Sequence, residues 1–194
     1  MKFASTSGTF ENPPAGAHPA VCTKMIDMGT QETTWQGTTK FAHKVKIVFE
    51  LAEKMKDGRP FLTMRDFTVS LHENAALRAF LASWRGRDFT DEELAGFDPK
   101  VLIGKGCLLS LIEKGEYINI DSCMRLPKGM EAPVPVGDTV FFSLSEFDQA
   151  EFDKLSDRIR EKIMKSPEYQ SLKGGTSTNH GMISSTNTEE DCVF

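Results

Sequence analysis

The sequence predicts a mainly β fold with helices inserted after its third strand. Three observations carry this prediction. Residues 40–52 and 60–70 alternate apolar and polar side chains with period two, the mark of half-buried strands. Residues 74–84 switch to helical spacing, and strand character returns between 100 and 126.

Taken in order, the first 17 residues are rich in Pro, Gly and Ser and read as a flexible N-terminal arm. HPAVCTKMIDMG (18–29) reads as a first strand ended by Gly29, and TQETTWQGTT (30–39) as a polar turn. In KFAHKVKIVFELA (40–52), Phe41, His43, Val45, Ile47, Phe49 and Leu51 fall on one face. Lys40, Ala42, Lys44, Lys46, Val48 and Glu50 fall on the other. Asp57-Gly58 is a hairpin signal. PFLTMRDFTVS (60–70) then returns with Phe61, Thr63, Arg65, Phe67 and Val69 on one side.

Ser70 and Glu73 have capping-box spacing, and Leu77, Phe80, Leu81 and Trp84 form the apolar stripe of a helix that Gly86 ends. Thr90 and Glu93 repeat the capping-box form before a short helix that stops at Gly96. A fourth strand is expected over 100–115, broken around Gly104 and Gly106, and a fifth over 116–126. A Pro/Gly loop (127–138) and an edge strand, TVFFSL, follow. Ser145 and Asp148 form a third capping-box pattern. The next helix carries Phe152, Leu155, Ile159 and Ile163 on one stripe and ends at Pro167. That stripe suits either packing on the body or a homodimer contact.

Three strands, a helical insert and two more strands is the element order of an OB-fold, a five-stranded Greek-key barrel with a helix between strands three and four. An SH3-like barrel or an α+β roll would accept the same elements. The expected organisation is an arm (1–17), an OB domain (18–145), a C-terminal helix (146–170), and a linker with an acidic end (171–194). By random-coil scaling the linker reaches about 25 Å.

The net charge of −5 is concentrated at the C-terminal end. No Lys or Arg follows Lys173, and without Glu189, Glu190 and Asp191 the 28 acids fall to 25 against 23 bases. The four cysteines, Cys22, Cys107, Cys123 and Cys192, form no CxxC and no Cys/His cluster, so neither zinc nor a disulfide framework is expected. No signal peptide and no run of membrane-spanning length is visible, and the chain reads as cytoplasmic. No phosphate-cradling glycine loop or nucleophile elbow appears, and no cofactor is expected. Of the scattered histidines, His72 reads as a surface or capping residue and His43 as a hydrogen-bonded core residue. Acids at 91–93 are what a helix dipole favours in a first turn.

Binding a single strand needs cations to follow phosphates and aromatic faces on which bases stack. Strands two and three offer Lys40, Lys44 and Lys46, with Arg65 beside Phe61 and Phe67. Trp35 in the preceding loop and Tyr117 at the start of strand five add two further stacking candidates, and Arg85 and Arg87 two further phosphate contacts. Each has a plainer explanation: the lysines as a solvated face, the phenylalanines as core, Trp35 as a barrel plug.

The chain ends in NTEEDCVF, after a Ser/Thr/Gly/Asn-rich stretch. A compact body, a polar linker and an acidic tip ending in Phe resemble the single-stranded DNA-binding proteins of bacteria and their viruses. The resemblance implies an OB core that coats single-stranded DNA during replication or recombination, in the host cytoplasm if viral. It also implies a tip (Glu189, Glu190, Asp191 and Phe194) that docks on a polymerase, helicase or recombination partner. Cys192-Val193 stands where the bacterial family has Ile-Pro, and the tip carries fewer acids. The competing expectation is an adaptor or assembly protein whose body binds no nucleic acid.

Overall fold

The computed structural model describes residues 11–174. Strands β1 (Gly16–Trp35), β2 (Thr38–Lys54), β3 (Pro60–Thr68), β4 (Gly106–Lys114) and β5 (Tyr117–Met124) form an antiparallel sheet in the order β3-β2-β1-β4-β5. A short sixth strand, β6 (Val140–Phe142), runs parallel to β1. Helices α1 (Ala76–Arg85) and α2 (Asp91–Ala95) and a 3-10 turn (Pro99–Leu102) separate β3 from β4. Helices α3 (Gln149–Asp153), α4 (Asp157–Met164) and α5 (Pro167–Gly174) follow β6. The sheet is open: its edge strands β3 and β5 share no ladder among the described residues.

The largest departure from expectation is the first hairpin. Residues 30–35 and 38–39, expected to be a turn, continue β1 and β2 to the two-residue turn Gln36-Gly37. Both turn residues have positive φ (48° and 76°), the geometry whose twist matches an antiparallel pair. Thr30, Thr33, Thr34, Thr38 and Thr39 are polar but β-branched, and the shape of that side chain favours extended backbone. Register shifts at Cys22/Lys24 and Asp27/Gly29 bend β1, so residues 16–21 pair with β4 and residues 24–26 with β6.

Both faces of the central strands are buried. One face carries Met25, Val45, Ile47 and Phe49 into a core shared with Leu77, Phe80, Leu81 and Trp84 of α1. The rings of Phe49 and Trp84 lie 5.4 Å apart, and Trp84 Nε1 donates to the Gly106 carbonyl at 2.9 Å. The other face carries Ile26, Met28 and Val48 into a second core with Val140, Phe142, Phe152, Leu155, Ile163 and Tyr169. The expected stripe of the C-terminal helix is therefore buried against its own sheet.

Several local expectations change. Ser70 and Glu73 form no capping box: Ser70 Oγ accepts from His72 N, and α1 begins later, after Ala75. The Thr90–Glu93 box forms as expected. Asp148 itself, not Ser145, caps α3 by accepting from Ala150 N and Glu151 N. The single helix over 146–170 is three short ones, because Pro167 opens α5 instead of ending a helix. Ser166 Oγ accepts from Tyr169 N at its start. Gly104 precedes β4 and Gly106 is its first residue, so neither breaks the strand. Gly16 and Ala17 of the expected arm are in β1, and Asn12 donates to the Glu116 carbonyl. The first ten residues lie outside the described ones, as do residues 175–194 of the linker and tip; residues 171–174 are the last turn of α5.

Candidate nucleic-acid interface

The ten body residues expected to hold a strand are divided by the fold. Phe61 and Phe67 are in the core, at 6% and 3% exposure, and offer no face for stacking. Their alternation with exposed Leu62, Met64 and Asp66 decides this. Lys46 is also buried, on the same face of β2 as Val48 of the second core, and its ammonium is paired with Asp66 directly across the β2–β3 ladder. It is a structural ion pair, not a phosphate contact. Lys40 and Tyr117 are exposed; Trp35 closes β1 opposite Thr38.

Lys44 and Arg65 remain half-exposed, with other ties. Lys44 Nζ donates to Thr68 Oγ1 at 2.8 Å. Arg65 Nη1 donates to the carbonyls of Ile120 (3.1 Å) and Asp121 (2.8 Å) on β5, and its guanidinium sits over the Phe67 ring at 5.0 Å. Both residues line a groove of about 500 Å³ with Thr68, Ser70, His72 and Asn74 at the entry to α1. The first helical turn there has no side-chain cap, so its N–H groups are not taken by its N-cap residue, Ala75.

The β1–β2 hairpin runs on past Lys44, the one residue of β1 or β2 that lines this groove. Phe41 is 68% exposed, although the alternation of β2 assigns it to the core face. The strand outruns the core: Val45 is the first buried residue of that face, and Phe41 lies beyond the last covering layer. The signal that would have revealed it was the Thr-rich extension of both strands. Lys40, beside it, makes no ion pair among the described residues.

At the base of the hairpin, His43 joins three elements. Its Nε2 lies 2.6 Å from Asp27 Oδ1 on β1, and its Nδ1 3.5 Å from Glu168 Oε1 on α5. Asp27 also accepts from Gly29 N and Leu144 N, at 2.9 and 3.1 Å. Thr30 donates to Glu168 from both N and Oγ1. Burial acts to raise the Glu168 carboxyl, but the Thr30 hydrogen bonds and His43 carry it below its usual range. His43 is hydrogen-bonded as expected, but half-exposed, not core. Gly29 permits this clasp. Its φ is +65°, and a Cβ there would meet Ser166 Oγ at 2.5 Å.

Arg85 and Arg87 stand at the opposite end of α1, about 15 Å of helix from the groove. Both donate to Glu93. Hydrogen bonds from Arg87, from the Thr90 backbone and from Arg85 hold the Glu93 carboxyl down at about 2. Arg85 lines a second cleft, of about 540 Å³, with Lys105 and Arg125. Sequence reasoning missed those two cations; Lys105 between two glycines was the available signal.

No known protein-family model matches the chain, and no curated protein matches it either. No helix among the described residues is long and apolar enough to cross a membrane.

Proposed function

We propose that the protein binds single-stranded DNA through the β1–β2 hairpin and the groove at the start of α1. The observation that carries this reading is Phe41, a large aromatic ring held in solvent on a projecting ribbon whose other face carries Lys40, which makes no ion pair among the described residues. Stacking on an exposed ring is worth about 1–3 kcal/mol per base and tolerates any sequence. Lys44, His72 and the uncapped first turn of α1 then provide donors for the phosphates that follow. The strand order, with β3 and β5 drawn together by Arg65 around a buried core, supports an OB-type barrel whose seam is bridged by a side chain. The acidic tip, Glu189 to Phe194, would then recruit a replication or recombination partner.

The adaptor reading is favoured by a different observation. Lys46, Arg85 and Arg87, three of the six cations expected to meet the strand, are each paired with a carboxylate. Fluorescence-polarisation titration with oligo-dT and with duplex, across a salt series, separates the two. Preference for the single strand with affinity falling steeply as salt rises supports the first reading. No binding of either at low salt sinks it and leaves the adaptor.

A further inference from the structure

We propose that the cleft at the C-terminal end of α1 is a nucleoside-phosphate site, distinct from the strand groove. Its lining combines an apolar wall, Trp84, Phe97 and Val101, with three cations, Arg85, Lys105 and Arg125. At about 540 Å³ it falls in the size range of small-ligand sites. Arg85 is held rigidly, with its guanidinium 4.2 Å over the Phe89 ring and its Nη2 on Glu93. Its Nη1 is nonetheless buried without a partner, the sole such side-chain nitrogen or oxygen among the described residues. A buried donor left unpaired costs about 1–3 kcal/mol, and a ligand oxygen is one way to remove that cost.

The surrounding charges favour an anion. Glu93 is already shared between Arg85 and Arg87, and Asp98 accepts from the Lys100 backbone N–H. Lys105 and Arg125 have no side-chain ion pair or hydrogen bond among the described residues. Arg125 lies against the helix end, where its Cδ would be 3.6 Å from a Cβ placed at Gly86. The cations therefore suit a phosphate and the apolar wall suits a base. That phosphate could belong to a free nucleotide or to a strand end. The site stands whether or not the strand groove does.

Isothermal titration with AMP, adenosine and inorganic phosphate tests this. AMP is expected to bind more tightly than phosphate or adenosine, and Arg125→Ala, Lys105→Ala or Arg85→Lys to weaken it by about 10-fold each. Phe41→Ala is expected to leave AMP affinity unchanged, which keeps this result separate from that of the strand groove. Displacement of AMP by 5′-phosphorylated but not 5′-hydroxyl oligo-dT assigns the phosphate to a strand end; displacement by neither assigns it to a free nucleotide. Absence of saturable AMP binding overturns the proposal, as does equal affinity for AMP and phosphate. Binding of the peptide TEEDCVF without binding of AMP also overturns it, in favour of the chain's own acidic end.

Discussion

Arg65 Nη1, on edge strand β3, donates to the Asp121 carbonyl of edge strand β5 at 2.8 Å, although no ladder joins these two strands among the described residues. The same nitrogen reaches the Ile120 carbonyl, while the guanidinium plane lies near the rings of Phe67 and Phe80. An edge strand with free backbone groups is a liability, and here a side chain substitutes for the missing pairs. Arg65→Met is expected to lower stability by about 1–3 kcal/mol, read from urea unfolding. Arg65→Lys keeps the charge but loses the planar fork, and is expected to recover little. Full recovery by lysine would show that charge, not the bridge, is what matters.

Phe41 and Phe67 are expected to respond in opposite ways. Phe41→Ala removes an exposed ring, so it is expected to weaken oligo-dT binding by about 1–3 kcal/mol with little change in unfolding midpoint. Phe67→Ala empties part of the core and is expected to cost about 3–5 kcal/mol of stability. Loss of stability without loss of binding in the Phe41 variant would place the ring in the fold's support, not its interface.

Lys40 tests the electrostatic half of the same interface. If it meets a phosphate, Lys40→Ala lowers the slope of log affinity against log salt by about 0.7. Lys46→Ala, whose ammonium is paired with Asp66, is expected to change stability and leave that slope alone. Polarisation titrations at four salt concentrations would distinguish them.

Glu93 makes the acid limb of stability readable. Its carboxyl is held at about 2, below its ordinary value of 4.5, by Arg87, Thr90 and Arg85. A carboxylate lowered on folding contributes fully above its unfolded value and loses that contribution as pH falls through its folded one. The window is therefore from about 4.5 down to about 2. In Glu93→Gln, thermal unfolding midpoints at pH 7 and pH 3 are expected to lie closer together than in wild type. An unchanged gap would mean that the Arg85–Glu93–Arg87 cluster does not persist in solution.

Cys22, Cys107 and Cys123 are buried and free. Burial raises the Cys22 thiol, and a hydrogen bond with Cys123 followed by burial raises that of Cys107, so both are held in the unreactive form. A Cys192→Ser variant is expected to give almost no fast reaction with a thiol-disulfide reagent while folded and three equivalents in denaturant. Fast reaction in the folded state would mean that the β1–β4–β5 face opens.

The strands of the body were legible because β2 and β3 alternate cleanly, and α1 because its stripe falls at helical spacing. The length of the first hairpin was hidden by composition: five threonines look like a loop when judged by polarity, and like strand when judged by shape. The site was less legible because alternation says which residues share a face, not what covers that face. Lys46 and Phe41 show the two errors. Each was placed on the right side of its strand, yet Lys46 is buried on the face that carries the second core and Phe41 projects past the first. Arg125 and Lys105 could be grouped with Arg85 only once β4, β5 and α1 were brought together.

Both faces of β1 and β2 are buried, and where Met25 and Ile26 lie against Ile47 and Val48 hydrophobicity alone cannot choose how the two strands align. A slip by one residue would exchange Met25 with Ile26 and Ile47 with Val48, apolar for apolar on either side. The choice then falls to the few polar residues buried among them. Glu50 must meet the N–H groups of Val136 and Gly137, Lys46 must meet Asp66, and Asp27 must meet His43 and Leu144. These three act as keys cut to one alignment, and the Gln36-Gly37 turn is the stop against which the strands are set.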